Sequence, residues 1–294
     1  MGVRLAILNV MRVGLADLQL KANEIRQTVI KMLLKAGTGH SAGALGSADF
    51  WTTLYFGGVI SYDPKRPDWE DRDRVVLSAG HYVPVVYAVL AEAGFFPKGD
   101  LDTLRSLGSK LQGHPVRGSV PGVEISSGSL GQGVSQAVGM AIALKLKKNK
   151  VRVICFMGDG EQQEGQTWEA YMSAAKYRLD NLLVVVDRNN IQIDGYTEEV
   201  MPLEPFRLKL EAFGFYVIEV DGHNSEEIVD AVGRSKVIYE KPTAVILRTT
   251  AGKGVEFMEN EPKWHGAAPN SMQAKEALID LKAIRTLNGR VIVD

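Results

Sequence analysis

The sequence predicts an α/β fold, a doubly wound parallel sheet with helices on both faces. Short β-branched runs alternate with segments whose apolar residues recur at helical spacing, and this alternation is typical of a covered parallel sheet. No Pro-, Gly- or Ser-rich linker, repeat or low-complexity segment divides the 294 residues. We therefore predict a single domain over residues 1–294, with an N-terminal helical segment over about residues 1–36.

The same patterns place the individual elements along the chain. Apolar residues follow helical spacing from Leu18 to Leu33, from Phe50 to Leu54 and from Val85 to Val89. Five runs have the composition of buried strands, namely RVVLS, VRVICFM, LLVVVD, FYVIEV and TAVILR. Strands that alternate with helices in this way form the parallel sheet of the predicted fold.

Composition limits the class of protein. The net charge of −1 gives no reason to expect nucleic acid or an anionic membrane as a partner. No apolar run approaches the roughly 18 residues of a membrane span, and the first 20 residues lack the pattern of a secretory signal. The single cysteine, Cys155, lies in an apolar run and has no partner for an internal disulfide. We therefore predict a cytoplasmic protein that binds neither nucleic acid nor membranes.

The stretch GDGEQQEG, residues 158–165, directly follows one of the predicted strands. It can be a simple glycine turn in which Asp159 caps the next helix. Ligands of open α/β sheets, however, collect at the carboxyl ends of the strands, and Asn189 follows the next strand one β-loop-α-β unit later. If the two strands are neighbours, Asp159 and Asn189 can share one hard cation, and a main-chain carbonyl such as that of Ile191 can be a further ligand.

One carboxylate and one amide are a poor set of ligands for a divalent cation. The set becomes adequate when a bound ligand supplies more negative oxygens, as a diphosphate does with Mg²⁺. The N-termini of helices that follow the glycines would add N–H donors to the same phosphates. The pattern therefore indicates a diphosphate cofactor with Mg²⁺ or Ca²⁺, not a structural metal.

Several motifs resemble those of one enzyme family. GDG followed at this distance by NN is similar to the thiamine diphosphate signature, and the other matching stretches resemble the N-terminal portion of transketolase. These stretches are GHSAGALG (39–46), LSAGH (77–81), QGHP (112–115), SSGSLGQGVSQAVGMA (126–141) and KWHG (263–266). The resemblance implies the diphosphate-binding domain of the thiamine diphosphate-binding fold.

The resemblance also implies roles for individual residues. In transketolases the Asp and Asn of the signature hold the metal together with a main-chain carbonyl, which corresponds here to Asp159, Asn189 and Ile191. The other residues implied to bind the cofactor are His81, Gly128, Ser129, Leu130, Gly158, Gly160, Glu164 and His265. The residues implied to act on the substrate are His40, His114, His265 and Arg105. Four of the five histidines thus fall at family positions, and imidazole titrates near the neutral pH at which ketol transfer moves protons.

Some positions depart from the family pattern. Ser129 stands where many members have Pro, and KLQ (110–112) stands where RTP is common, so the implied channel contacts of residues 110–112 stay open. Glu164 fits an acidic family position, but the dipole at the start of a helix explains an acidic residue there nearly as well.

The chain is short for a complete transketolase. Complete members hold the aminopyrimidine of the cofactor with a second domain, and residues 249–294 are too few to form that domain and a third one. The resemblance therefore implies the N-terminal subunit of a split transketolase. Its partner would carry the pyrimidine-binding and C-terminal domains, in a heterotetramer with two copies of each chain.

The implied activity is transfer of a two-carbon ketol unit between sugar phosphates, as in the pentose phosphate pathway, and only with the partner present. One alternative is another thiamine diphosphate enzyme subunit, similar to deoxyxylulose-phosphate synthase or to a 2-oxoacid dehydrogenase. SLGQGVSQAVGMA and QGHP favour transketolase over these. A second alternative is a non-catalytic regulatory half, which the intact Asp159, Asn189 and histidines disfavour.

Overall fold

A computed structural model describes residues 14–287 and 290–293 of the chain. A five-stranded parallel sheet and two short antiparallel hairpins account for its strands. In chain order the strands are β1 (Arg74–Leu77), β2 (Val153–Gly158), β3 (Leu182–Arg188), β4 (Ile191–Gln192), β5 (Gly195–Tyr196), β6 (Tyr216–Asp221), β7 (Thr243–Arg248), β8 (Ile284–Leu287) and β9 (Arg290–Val293).

Helices occupy much of the remaining chain. They are α1 (Leu15–Ala36), α2 (Ala42–Gly46), α3 (Ala48–Phe56), α4 (Val83–Glu92), α5 (Gln132–Leu146), α6 (Gly165–Lys176), α7 (Thr197–Val200), α8 (Phe206–Ala212), α9 (Ser225–Ser235) and α10 (Ser271–Ala283). Within the described ranges, no helix has both the length and the apolar character needed to cross a bilayer.

The main sheet has the order β1-β2-β3-β7-β6, and every neighbouring pair is parallel. Each of the five predicted runs forms one of its strands, so the α/β prediction is confirmed. In the register of β2 and β3, Gly158 lies opposite Asp187. Because both strands end at nearly the same level, the residues that follow them emerge side by side at one edge of the sheet.

Helices pack on both faces of this sheet, as predicted. Within β2, Ile154 and Phe156 belong to one buried cluster, whereas Cys155 and Met157 belong to the other. This alternation follows from the two-residue period of a strand. Helices α1, α3, α4, α9 and α10 contribute to the first cluster, and α5, α6 and α8 contribute to the second.

The N-terminal helix covers most of the predicted helical segment. Its apolar face, which includes Leu18 and Leu33, is buried in the first cluster. The helix ends at Ala36. The next residue, Gly37, has a left-handed φ of 67° and donates its N–H to the carbonyl of Leu33, an ending that favours glycine. Residues 1–13, the first part of the predicted segment, lie outside the described residues.

Candidate functional site

The two residues whose side chains are predicted to bind the metal lie next to each other at the carboxyl edge of the sheet. Asp159 follows β2 directly and Asn189 follows β3 directly. The backbone N–H of Asn190 donates to Asp159 Oδ2 over 2.7 Å. The ends of β2 and β3 therefore lie close together in the structure, as expected.

The two carboxylate oxygens of Asp159 have different surroundings. Oδ2 accepts hydrogen bonds from Arg188 Nη1 at 2.8 Å, from Asn190 N at 2.7 Å and from Thr197 Oγ1 at 3.3 Å. Oδ1 accepts one, from Gly160 N at 2.8 Å. Burial raises the pKa of Asp159 to about 6, although the Arg188 guanidinium opposes that shift.

The side chain of Asn189 is held in one orientation. Its Nδ2 donates to the Tyr82 hydroxyl at 2.9 Å and to Asp187 Oδ2 at 2.7 Å, while its Oδ1 accepts from the backbone N–H of Ile191 at 3.0 Å. The Tyr82 hydroxyl itself donates to Asp187 at 2.7 Å. Because both amide hydrogens have acceptors, the positions of the amide nitrogen and oxygen are defined.

Carboxylate, amide and main-chain oxygens are suitable ligands for a hard cation to which a phosphate also binds. Nowhere in residues 14–287 or 290–293 do three His, Cys, Asp or Glu side chains converge to hold a metal ion by themselves. Asp159, Asn189 and the carbonyl of Ile191 would supply hard oxygen ligands with only one formal negative charge. These residues therefore fit Mg²⁺ or Ca²⁺ bound together with a diphosphate and do not form an independent metal cage.

A cavity opens at this edge of the sheet, beside Asp159. Eight of the residues predicted to bind the cofactor or metal line it, namely His81, Leu130, Gly158, Asp159, Gly160, Glu164, Ile191 and His265. Asn189 lies buried beside this cavity, where it contacts Tyr82. Most of the predicted cofactor residues thus surround one space, whereas Gly128 and Ser129 are not among the residues that line it.

Glycines allow the loop at Gly128–Leu130 to pack closely against its neighbours. Gly131, at the start of α5, has a φ of 79°, and a Cβ there would lie 2.9 Å from the Cβ of Glu164. A Cβ on Gly80 would lie 3.0 Å from the backbone nitrogen of Gly128. A side chain at either glycine would push this loop away from the cavity.

Glu161 ties three segments of the site together, a role that the sequence analysis missed. Its Oε1 accepts from Ser78 Oγ at 2.5 Å and from Gly131 N at 2.8 Å, and its Oε2 accepts from Gly158 N at 3.3 Å. Burial raises its pKa to about 7, and these hydrogen bonds oppose the shift. No sequence signal separates Glu161 from an ordinary turn residue, because its partners lie at distant positions of the chain.

The four histidines at family positions form a cluster. The ring centroids of His40 and His81 are 5.2 Å apart, and those of His81 and His265 are 4.9 Å apart. His40 is also 6.0 Å from both His114 and His265. The cluster adjoins the cavity, since His81 and His265 line its wall.

Burial lowers the pKa of each of these histidines. For His40 the value falls to about 4, with further lowering by His265, Arg105 and His114. The rings are therefore neutral near pH 7. A neutral imidazole can donate a hydrogen bond from one nitrogen and accept one at the other, which suits proton movement at sugar hydroxyls.

Arg105 lies beside this cluster. Its Nη1 is 3.4 Å from Thr38 Oγ1, and a Cβ on Gly113 would lie 2.7 Å from the guanidinium carbon. Its charge lowers the pKa of both His40 and His114. The structure thus places the predicted substrate residues, His40, His114, His265 and Arg105, in one group.

The fifth histidine, His223, belongs to a different cluster. The Thr250 N–H donates to its Nε2 at 2.8 Å, so the ring proton is on Nδ1, which lies 2.8 Å from Asp49 Oδ2. Asp49 is also paired with Arg26. These contacts give His223 a structural role.

Further residues around the predicted metal ligands were missed in the sequence. Tyr82, Asp187 and Arg188 contact Asp159 or Asn189, and all three are at least 95% buried. Asp187 and Arg188 occur at the end of an apolar strand run, where they look like the polar boundary of a strand. Their position directly before the predicted ligand Asn189 is the signal that could have identified them.

Similarity to known proteins extends over most of the chain. Residues 18–281 match the family model described as transketolase, thiamine diphosphate binding domain. The chain is 43% identical over 266 residues to the 6-deoxy-6-sulfo-D-fructose transketolase subunit SqwG of Clostridium sp. (strain MSTE9), covering 90% of this chain and 96% of that relative. It is 41% identical over 261 residues to an apulose-4-phosphate transketolase subunit from Phocaeicola vulgatus, covering 89% and 92% of the two chains.

Among solved structures, a transketolase from Leishmania mexicana superposes with a TM-score of 0.86 at 33% sequence identity. The match covers 92% of this chain but only 42% of that one. The chain therefore spans less than half of this solved transketolase, whereas it spans nearly the whole length of the two relatives named as subunits.

Proposed function

The chain belongs to the transketolase family, and from that premise we propose that it is the diphosphate-binding subunit of a split thiamine diphosphate-dependent transketolase. The proposal rests on the residues that line the site, taken together with the share of a solved transketolase that this chain covers. Most of the residues that would hold the diphosphate and the metal line one cavity, yet the match covers only 42% of a solved transketolase chain. Its full-length similarity to proteins named as transketolase subunits supports the same division.

We propose thiamine diphosphate with Mg²⁺ or Ca²⁺ as the cofactor. Asp159, Asn189 and the carbonyl of Ile191 would hold the metal, and the other residues that line the cavity would contact the cofactor. When bound, the cofactor supplies the activated carbon that takes up and releases a two-carbon ketol unit. The contribution of the protein is to hold the diphosphate and to keep the reacting groups aligned.

His40, His114 and His265 would bind the sugar hydroxyls and move protons there as neutral imidazoles. Arg105 adds a positive charge beside them, which suits a substrate with an anionic group. The two named relatives act on a sulfo sugar and on a sugar phosphate, as their names state. We therefore propose an anionic ketose as the donor of the two-carbon ketol unit. A role in the pentose phosphate pathway stays a prediction.

A second chain would complete the active site. We propose that it carries the pyrimidine-binding and C-terminal domains and that two copies of each chain form a heterotetramer, the assembly that two-fold symmetry favours. Two further statements stay predictions, namely that the protein is cytoplasmic and that residues 1–294 form a single domain.

Reconstitution tests the function. The purified chain is mixed with a candidate partner chain, thiamine diphosphate and Mg²⁺, and ketol transfer from phosphorylated or sulfonated ketoses is measured. We expect activity only from the mixture. Robust transfer by the 294-residue chain alone would refute the split arrangement, and transfer from 2-oxoacids instead of ketoses would favour the alternative enzyme class. Tight cofactor binding without any transfer would favour a regulatory half.

A further inference from the structure

We propose that Arg188 is a positioning residue that selects the oxygen of Asp159 available to the metal and fixes the segment that carries Ile191. This inference rests on the proposed diphosphate and metal site and concerns how this chain builds it. Arg188 touches none of the expected reacting atoms. It acts through Asp159 and Ile191, which would hold the metal.

The hydrogen bonds of Asp159 show the first part of this role. A carboxylate offers about four lone-pair positions, two on each oxygen. Three donors, including Arg188 Nη1, already surround Oδ2, whereas Oδ1 has only the N–H of Gly160. Arg188 thus helps to occupy Oδ2 fully, and Oδ1 keeps a free position. The structure assigns Oδ1 as the single metal-binding atom of Asp159.

The other side of the guanidinium contacts the segment after β3. Arg188 Nη2 donates to Glu198 Oε1 at 2.5 Å and to Glu204 Oε1 at 3.3 Å, and Nη1 also lies 3.2 Å from Asn190 Oδ1. Glu198 in turn accepts from the backbone N–H of Leu203 at 3.0 Å. One side chain therefore joins Asp159 to both ends of the segment 190–204, in which Ile191 lies.

The chemistry of arginine suits this bridge. Its planar guanidinium presents donors on two sides in a fixed geometry, whereas lysine has one compact ammonium group. The side chain of Arg188 is only 3% exposed and that of Asp159 only 2%, so solvent screens their ion pair weakly. A lysine would keep the positive charge but could not hold Asp159 and Glu198 in the same way.

A competing explanation gives Arg188 the opposite effect. If the guanidinium occupied the place of the metal, its removal would free Asp159 and strengthen metal binding. If it positions Asp159, its removal would weaken metal binding. The two explanations therefore differ in the sign of the change.

The test measures metal-dependent cofactor binding instead of turnover. The chain is studied in the complex with its partner chain, by titrating Mn²⁺ in the presence of thiamine diphosphate and following the EPR signal of free Mn²⁺. For Arg188→Met we expect affinity to fall by about 10- to 100-fold, the usual range for residues that orient metal ligands. For Arg188→Lys we expect a loss of about 10-fold, because the charge remains but the bridge does not.

Two further variants keep the test decisive. Glu198→Gln leaves the pair of Arg188 and Asp159 in place and weakens only the outer contact, so it should fold even if Arg188→Met does not, and should lose about 10-fold in affinity. Arg178→Met is the matched control, since Arg178 is an exposed arginine that pairs with Glu240, and it should bind as the wild type does.

The outcomes separate the two proposals. If the wild type shows no metal-dependent binding of thiamine diphosphate, the proposed function fails and this inference fails with it. If the wild type binds and the Arg188 and Glu198 variants bind equally well or more tightly, only the role of Arg188 is overturned.

Discussion

The metal-ligand end and the histidine end of the site are held in different ways. Asp159 and Asn189 have hydrogen-bond partners at each side-chain oxygen and nitrogen. The rings of His40, His81 and His114, by contrast, make no hydrogen bond within the described part of the chain, and the buried Nδ1 of His40 has no partner there. The contrast lies in the polar contacts, because burial is substantial at both ends.

The two ends of the site are therefore ordered for ligand binding in different ways. At the metal-ligand end, the protein itself sets the direction of each donor, which lowers the cost of ordering these groups when a ligand binds. At the histidine end, packing places the rings, and the protein does not use the ring nitrogens of His40, His81 and His114 for its own hydrogen bonds within the described part of the chain. Variants at Asp159 or Asn189 should therefore affect cofactor binding, and variants at His40 or His114 should affect turnover.

The largest expected effect is at the metal-ligand end. Asp159→Ala removes the only charged side chain among the predicted metal ligands, so Mg²⁺-dependent binding of thiamine diphosphate by the complex should be abolished. Isothermal titration calorimetry measures this binding, and circular dichroism checks that the fold is retained. Undiminished metal-dependent affinity would contradict the assignment of Asp159.

The matching change at the histidine end is His114→Ala. We expect ketol transfer to fall by about 10²- to 10⁴-fold, the usual effect of losing a proton-handling group, with nearly unchanged cofactor affinity. Steady-state kinetics and calorimetry on the same preparation separate the two quantities. Wild-type turnover would mean that His114 is structural and that the contrast between the two ends is wrong.

A smaller effect is expected from Glu161→Gln. The amide oxygen of the new side chain can keep the contacts of Oε1 with Ser78 and Gly131, but the amide nitrogen then faces the N–H donor of Gly158. An unpaired buried polar group costs about 1–3 kcal/mol. We expect the free energy of unfolding in urea to fall by about that amount. Glu211→Gln is the control, because Glu211 forms an exposed pair with Arg207. An equal effect of both variants would argue against a special role for Glu161.

The smallest effect concerns the pH dependence of stability. His40 has an ordinary pKa of 6.5 when unfolded and one of about 4 when folded. Between these values the unfolded chain binds more protons than the folded chain. The free energy of unfolding should therefore decrease as the pH falls from 6.5 towards 4. His40→Asn should make this dependence shallower, as measured by urea unfolding of the cofactor-free chain at pH 7 and pH 5. An identical dependence in both proteins would show that His40 does not contribute to it.

Local patterns in the sequence were sufficient for the fold and for part of the site. The β-branched runs predicted the five strands of the main sheet and the helical spacing predicted α1, α3 and α4, because both periodicities reflect burial close along the chain. Asp159 and Asn189 were predicted because each follows a strand and the carboxyl ends of parallel strands share an edge. The histidines were found through motifs and not through periodicity.

Only the tertiary structure decided how these groups are oriented. Tyr82 contacts Asn189 from 107 positions away, and Ser78 contacts Glu161 from 83 positions away. The choice between Oδ1 and Oδ2 of Asp159 likewise depends on Arg188 and Thr197, which approach one carboxylate from different segments. Sequence periodicity records which face of an element is buried, but it does not record which distant polar atom meets it there. The sequence by itself therefore determined the sheet and the positions of the ligands along it, and the packing of distant segments decided which atom of each ligand is free to bind.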